Sequence, residues 1–496
     1  MFLVNENHLS GLIPLFNTSN SSQLIHLGMS GNSFYGSVIS SFDTLRNLPK
    51  LQILFLQDNK LQGFIPSEIC QLESLQILSL GSNMFSGPLP SCFGSIQGLS
   101  FLSISNNQLT GKIPSQICNA SLFQVLDLSN NRLNESFPPC LGNFSENLQV
   151  LDLRNNKLQG LIPIFAKVKS LRSLNFNGNQ LEGPLPQSLH ACKKLEVLDV
   201  GNNRINGSFP NWLESLPELQ VLILRSNRFY GPVGNPTARF PFQKLRIMDL
   251  SNNAFTGHLP RKYFESLSVM MESHAAEFGY MGTGYYIDSI KLDMKGVSIE
   301  LVKIQKIFTT IDLSRNLFVG EIPNLIGRLK SLHGLNFSHN KLSGSIPPSL
   351  RNLSNLEWLD LSSNELVGVI PWQLTDLTFL ASLNLSHNKF DGPIPRGKQF
   401  DTFDNDSFIG NLRLCGPPLS KACNNEQEQP PSPRNIQQSE EDDGFDNWKV
   451  VLMGYCSGLV IGISIGYIVL SSGKFDHWFA QRFGGRTRFK RGRRRN

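Results

Sequence analysis

One repeated template constrains this chain more than any other feature. LQILFLQDNKLQGFIP at residues 51–66 is followed by LQILSLGSNMFSGPLP at 75–90, then by LSFLSISNNQLTGKIP, FQVLDLSNNRLNESFP and LQVLDLRNNKLQGLIP. The shared pattern is L-x-x-L-x-L-x-x-N-x-L-x-G-x-I-P. Its anchors are Asn7, Asn32, Asn59, Asn83, Asn107, Asn131, Asn156, Asn179, Asn203, Asn227 and Asn253, then Asn316, Asn340, Asn364 and Asn388. Most successive anchors are about two dozen positions apart, and a period of that size marks a stacked repeat array. The L-x-L alternation predicts a short strand with its leucines turned inward. One unit cannot bury its own apolar face, so units stack and share a continuous core. The Asn amide has two donors and an acceptor, enough to satisfy backbone groups in the bend that leaves the strand. The Leu or Phe that follows, as in Phe85, Phe229, Phe255, Phe318 and Phe390, fills the next core layer, a recurring slot that accounts for 34 Phe against 5 Trp. Gly-x-Ile-Pro then turns the chain onto the back of the coil, where a sheet edge needs no donor from Pro.

The template fills 1–260 and 308–400 and is interrupted once, because Asn253 and Asn316 are separated by well over twice the usual period. The insert, 261–307, lacks the leucine pattern and carries Gly279, Gly282 and Gly284 among aromatics. A long insertion of this kind is usually functional or a linker. Within it, SIKLDMKGVSIELV alternates around Lys295-Gly296, which predicts a hairpin. After the last four repeats, 401–425 holds Cys415 and Cys423, a cap over the open core face. Residues 426–447 are Gln, Pro, Ser and acid, a flexible juxtamembrane segment. Inside 448–472, the stretch from Val450 to Ser472 runs without a single charge and is long enough for a membrane-spanning helix. The basic tail, 473–496, follows it, so the positive-inside rule puts the tail in the cytosol and the repeats outside, a type I arrangement at the plasma membrane. There its Lys and Arg contact anionic lipid. The net charge of +6 arises in that tail, since residues 1–447 carry 35 basic and 38 acidic side chains, and a nucleic-acid-binding body is disfavoured.

The L-x-G-x-I-P extension is similar to the plant-type leucine-rich repeat over roughly residues 5–400. That resemblance implies an α/β repeat solenoid, a superhelix of short parallel strands with 3-10 or loop backs, here with one transmembrane helix added. The order of repeats, insert, four repeats, Cys-pair cap, acidic stretch, span and short basic tail resembles the plant receptor-like proteins, the kinase-less receptors of the disease-resistance type. The insert looks like that family's island, whose paired Tyr and Lys-Gly appear here as Tyr285, Tyr286, Lys295 and Gly296. The resemblance implies that these residues dock a co-receptor kinase ectodomain. It also implies an adaptor receptor-like kinase with its own span. Gly454, Gly458, Gly462 and Gly466 recur every four residues and line one helix face, where another helix backbone can approach closely. The opening, MFLVNENHLSGLIP, starts in mid-repeat without a signal peptide or the family's Cys-paired N-terminal cap. An N-terminally truncated receptor is expected, either as a fragment or as a truncated gene.

No enzyme site emerges. There is no glycine-rich phosphate loop with its Lys and no H-E-x-x-H; no cofactor and no metal are expected. Asp127, Asp152, Asp199, Asp249, Asp312 and Asp360 recur four residues before their anchors, alternating with Asn175, Asn336 and Asn384. A repeated row of identical residues reads as cross-strand hydrogen bonding rather than as paired acids of different environment. His339 and His387 sit just before their anchors, a structural position. Binding is the remaining role. Most outward strand positions are Asp, Asn, Ser or Gly, and the exceptions, Phe55, Gln57, Arg154, Val221, Ile223, Arg225, Arg315 and Trp358, are the ligand-binding candidates, because Arg and aromatic side chains anchor interfaces. Cys70 and Cys118 share one offset after their anchors, Asn59 and Asn107, while Cys92 and Cys140 share a slightly shorter one after Asn83 and Asn131. Coils stacked about 4.8 Å apart then predict disulfides Cys70–Cys92 and Cys118–Cys140, with Cys415–Cys423 in the cap and Cys192 free. Sequons at Asn17, Asn20, Asn119, Asn134, Asn143, Asn206, Asn352 and Asn405 predict a glycosylated ectodomain, while those at Asn336 and Asn384 coincide with the strand consensus. The expected function is a cell-surface receptor that binds an extracellular peptide, protein or glycan and signals through partner kinases in plant defence. The alternatives are a wall-facing repeat-type inhibitor or scaffold, and a truncated non-signalling decoy.

Overall fold

The computed structural model describes residues 1–13, 23–37, 47–271 and 279–423. The span expected at 448–472 with its glycine face, the segments flanking it, and Asn17 and Asn20 lie outside the described residues. Among the described residues no helix is long and apolar enough to cross a membrane.

The coil around Asn83 shows how the template folds. Leu78 is the central residue of the strand Ile77–Ser79, in register with Leu54 before it and Leu102 after it. Leu75, Leu78, Leu80 and Phe85 have no solvent exposure, and burying each such side chain contributes about 1.5–3 kcal/mol. Fifteen strands of this kind, from Phe2–Leu3 to Ser382–Asn384, form one parallel sheet in chain order, the concave face of the solenoid. The Asn83 amide donates to the carbonyls of Leu80 and Gly81 in its own coil and of Leu56 in the coil before, at 2.9 to 3.1 Å, while its oxygen accepts the Leu61 N–H at 3.0 Å. Each anchor therefore fastens its coil to its neighbour. The residue ahead of the anchor takes a left-handed backbone, as at Ser82, His339 and His387, so the two histidines hold a repeat position.

The back of the coil is more ordered than a turn. The stretch that contains Leu-x-Gly forms a second strand, such as Met84–Pro88, and these strands pair in parallel in sheets of six, seven and three. Gly87 has φ +78, and a Cβ there would lie 2.3 Å from the Phe64 ring of the preceding coil. Short 3-10 helices such as Ser91–Ser95 follow the Pro. Disulfides link these backs from coil to coil, Cys70 to Cys92 and Cys118 to Cys140, with Cα atoms 6.0 and 6.1 Å apart, and Cys415 to Cys423 closes the cap. Cys192 is free and buried, and burial pushes its thiol up to about 11. The cap adds a rung that the sequence pattern does not announce: Asn411 donates to Leu385 and Phe408 carbonyls and accepts from Phe390.

The insert leaves the solenoid intact. Ile247–Asp249 pairs directly with Thr310–Asp312, and Asn316 reaches back 66 positions to the Leu250 carbonyl. Its first part still completes a coil. The helices Arg261–Phe264 and Ser268–Met271 put Tyr263, Phe264, Leu267 and Met270 into the main core, and the Tyr263 hydroxyl donates to Glu214 at 2.6 Å. The departure from the repeat comes after Met271, because apolar residues at helical spacing fill the back of that coil. Lys295-Gly296 forms a two-residue turn, with φ +54 and +77, between strands Ile290–Met294 and Val297–Leu301. Two positive φ values in a two-residue loop match the right-handed twist of a hairpin.

Candidate functional site

The island lies on the concave face, and two bonding patterns hold it there. The first is apolar. Met281, Ile290, Leu292 and Ile304 of the island pack on Val197, Val221, Ile223 and Ile247, and Tyr286 packs on Val125 and Val150. The second is polar and repeats along the coils. Arg154 donates to the Ser289 carbonyl at 2.7 Å. Arg172 lies 2.7 Å from the Asp288 carboxylate and 3.2 Å from Glu196. Arg225 lies 3.4 Å from Asp293. The Tyr286 hydroxyl donates to Asp152 at 2.8 Å. Burial opposes the charge on Arg172, but Asp288 and Glu196 hold its pKa above the usual value. Burial pushes the Asp152 carboxyl up to about 7 against the pull of Arg154, and raises the Tyr286 phenol well above its ordinary range.

This placement corrects most of the ligand-binding candidates. Val221 and Ile223 are fully buried under the island, and Arg225 is nearly so. Arg154 is committed to Ser289. Trp358 is 5% exposed, lies flat over Gly334, where a Cβ would sit 1.8 Å from its ring, and stacks on Phe308, with its remaining surface lining a cavity over the last repeats. Phe55 is half-buried with its ring 5.5 Å from that of Tyr285. The apolar and arginine exceptions on the strand face are mainly the floor on which the chain's own insert rests. Gln57 is half-buried and Arg315 is exposed. The docking set divides as well. Tyr286 is 8% exposed and holds the island from beneath, whereas Tyr285 is 64% exposed. Lys295 and Gly296 form the exposed hairpin tip, with Lys295 at 3.4 Å from Glu357.

Beside that tip, a cavity of about 440 Å³ opens over the last repeats, lined among others by Asp293, Lys295, Asp312, Arg315, His339 and Asp360. The aspartate row is tied into the frame. Asp312 accepts from the Ser314 N–H and from Asn336, and Asp360 from the Ser362 N–H. Burial raises Asp312, with repulsion from Asp249 adding to the effect, and burial raises Asp249 against the pull of Arg225. Among the described residues no cluster of His, Cys, Asp and Glu could hold a metal ion.

Asn119, Asn134, Asn143, Asn206, Asn352 and Asn405 are exposed. Asn336 and Asn384 accept hydrogen bonds from Ser338 and Ser386 on the concave floor. Sequence reasoning missed Arg172, Asp288 and Ser289. The available signal was the β-branched residues at one outward position, Val125, Val150, Val197, Val221 and Ile247, where three of the four coils after the insert carry Thr310, Gly334 and Ser382.

Together, the parallel strands, the asparagine ladder and the second sheet define a plant-type leucine-rich-repeat solenoid. Profiles described as Leucine rich repeat match residues 170–229 and 308–366, and others of that kind match 146–187 and four single repeats within 50–144. The chain is a homologue of the receptor-like proteins of Arabidopsis thaliana. It is 47% identical to Receptor-like protein 34 over 360 residues, which is 71% of this chain and 37% of that protein. It is 45% identical to Receptor-like protein 43 over 359 residues, 70% of this chain and 49% of that protein. The chain thus spans less than half the length of these relatives. Among solved structures, a TDR receptor superposes with a TM-score of 0.66 at 27% identity, covering 79% of this chain and 60% of that one. The Arabidopsis receptor kinase HAESA, solved with the peptide hormone IDA and the co-receptor SERK1, superposes with a TM-score of 0.60 at 28% identity, covering 83% and 74%.

Proposed function

We propose that this chain is a single-pass cell-surface receptor of plant defence that takes an extracellular peptide, protein or glycan and signals through partner kinases. The observation that carries this reading is the island seated on the concave face, with an open cavity and the exposed Lys295-Gly296 tip side by side over the last repeats. Ligand and second protein would meet there. The complex of HAESA with a peptide hormone and a co-receptor supports a receptor that takes a ligand and a second protein together. The exposed sequons suit an ectodomain outside the cell, and Val450 to Ser472 supplies the span. The co-receptor ectodomain docks on Lys295, Gly296 and Tyr285. The adaptor kinase docks on Gly454, Gly458, Gly462 and Gly466 within the membrane.

The test uses the full chain in plant cells. The double variant Gly458→Leu and Gly462→Leu should lose co-purification with the adaptor kinase while still inserting, since Leu is well tolerated by lipid. Lys295→Glu should weaken ligand-dependent recruitment of the co-receptor. Full-yield co-purification of the glycine variant would remove the membrane docking site from the mechanism.

A further inference from the structure

The back of the first block carries a groove, apart from the concave face and its island. It holds about 950 Å³ and crosses four coils, between the ends of the second-sheet strands and the starts of the 3-10 helices. The Ile-Pro step of the template builds its floor, from buried Ile65 in the first coil to buried Phe137 in the fourth. Phe64, Pro88 and Lys112 stand exposed on one side of it, and Ser67, Ser91 and Ser115 on the other. Phe64 is 59% exposed, with its ring over Gly87 of the next coil. Binding grooves combine apolar walls with a few polar groups that fix orientation. An apolar trough with hydroxyls along one rim fits a ligand with apolar faces and hydroxyl edges, which describes a pyranose sugar.

The fourth coil supplies the sugar. There the L-x-G-x-I-P of the template is written Leu133-Asn134-Glu135-Ser136-Phe137-Pro138, so a sequon falls on the rim. Glu135 and Ser136 line the groove. Asn134 is exposed, and its N–H donates at 2.9 Å to the carbonyl of Gly111, the residue before Lys112. Glu135 takes the left-handed backbone of the template Gly, with φ +66, so the sequon keeps the course of the coil. Coils lie about 4.8 Å apart where their strands pair, close to the length of one sugar unit. About three or four sugars then run from Asn134 to Phe64. Asn206 holds the same template position, in Asn206-Gly207-Ser208, and serves as an internal comparison.

We infer that the N-linked glycan of Asn134 lies down in this groove, with its first sugars beside Lys112 and its outer ones over Pro88 and Phe64. The inference rests on the extracellular placement proposed above, which exposes the sequon to glycosylation. Apolar sugar faces cover Pro88 and the Phe64 ring, taking both out of water. Sugar hydroxyls bond Ser115, Ser91 and the Lys112 amine. The seated glycan bridges the same coils as the disulfides Cys70–Cys92 and Cys118–Cys140, and it shields an apolar flank.

The test uses the full chain, made in cells that leave glycans in the high-mannose form and purified in detergent. An endoglycosidase that cuts between the first two sugars is added to the native protein, and glycopeptides are followed by mass spectrometry. Release at Asn134 should be slower than at Asn206 by about tenfold or more, because the glycan must first lift from its seat. After denaturation the two rates should agree. Phe64→Ser removes an exposed ring and should speed release at Asn134 severalfold while leaving Asn206 unchanged. A second measurement reads the groove itself. Asn134→Gln and Ser136→Ala each delete the sequon, and both should make the Lys112 amine react faster with an acylating reagent, with exposed Lys341 unchanged. Equal native release at Asn134 and Asn206, or a Lys112 amine indifferent to loss of the sequon, overturns the seat and leaves the receptor reading standing. A glycan at Asn206 with Asn134 bare does the same. A chain with no glycan on any exposed sequon overturns the seat together with the extracellular placement.

Discussion

Replacing Asp288 by Ala tests what holds the island. The substitution removes the carboxylate 2.7 Å from Arg172, whose side chain is 11% exposed, while Asp288 itself is 1% exposed. Breaking one side of a buried ion pair costs about 3–5 kcal/mol when nothing replaces it. Here Glu196 remains at 3.2 Å but is 28% exposed, so it recovers part of the loss and the expected cost is about 2–3 kcal/mol. That cost should fall on the island alone, because Ile247–Asp249 pairs with Thr310–Asp312 whether or not the island is seated. Local opening then appears as faster amide exchange, by roughly 30- to 150-fold for that energy at about 1.4 kcal/mol per tenfold. Native-state exchange read by mass spectrometry should show the change in Ile290–Met294 and Val297–Leu301, and little in Val197–Asp199. Adding Arg172→Met to Asp288→Ala should restore much of the protection, since an apolar side chain of similar volume leaves no stranded charge. Unchanged exchange in the hairpin, or an equal increase along the whole solenoid, would refute the arginine clamp and assign the docking to apolar contact.

Three further outcomes are expected. Burial raises the folded-state pKa of Asp152 to about 7, above the unfolded value of about 3.9, so the folded chain holds a proton there that the unfolded chain releases between those values. Stability should therefore increase as pH falls from 7 toward 4; calorimetry should give a higher Tm at about pH 5 than at about pH 8, and Asp152→Asn should reduce the difference, the remainder coming from Asp249 and Asp312, which burial also raises. A Tm that climbs with pH through that window would contradict the assignment. Replacing Cys70 and Cys92 together by Ala opens a link across 22 positions and should cost about 3 kcal/mol, visible as earlier urea unfolding. Glycopeptide mapping should find glycan on exposed sequons such as Asn119, Asn134 and Asn206 and none at Asn336 or Asn384, whose side chains are bonded to the concave floor.

How much was legible in the sequence follows from the range of the interactions. Each rung declares itself within one period. Leu78 stacks on Leu54, and Asn83 bonds to Leu56, so the solenoid, the phenylalanine layer and the disulfide partners could be placed by counting. The hairpin at Lys295-Gly296 is equally local. The destination of the island is not local. Tyr286 meets Asp152 and Thr283 meets Gln149 at separations of 134 residues, and no periodicity links such pairs. Val221, Ile223 and Arg225 stood out as exceptions to the small or polar residues of the strand face, and side chains of that kind do mark a contact surface. Their partner is the chain itself, and nothing in a strand template distinguishes a floor for an external ligand from a floor for an insert. Asn411 escaped because its coil lacks the L-x-L strand, although the Asn and its three bonds are those of the repeat.

The seated island divides the concave face into zones of different chemistry, and that division limits how a ligand can engage. At the island's first edge the floor is apolar and partly open, with Ile53 and Ile77 half-buried and Phe55 and Phe101 beside the Tyr285 ring. Under the island the floor is closed by the Val197, Val221 and Ile247 cluster and by the arginines. Beyond it the floor is polar, with Asp312, Asn336, Asp360 and Asn384 lining one cavity. A ligand that displaced the island would have to replace several buried side chains, each worth about 1.5–3 kcal/mol, and re-pair Arg154, Arg172 and Arg225. A ligand that bound alongside it would lose none of this and would find a rigid hairpin as one wall of its site. The second course is favoured energetically. A ligand on the polar zone would then lean on the Lys295-Gly296 tip of the pinned element, and its binding should weaken when Asp288→Ala loosens that element.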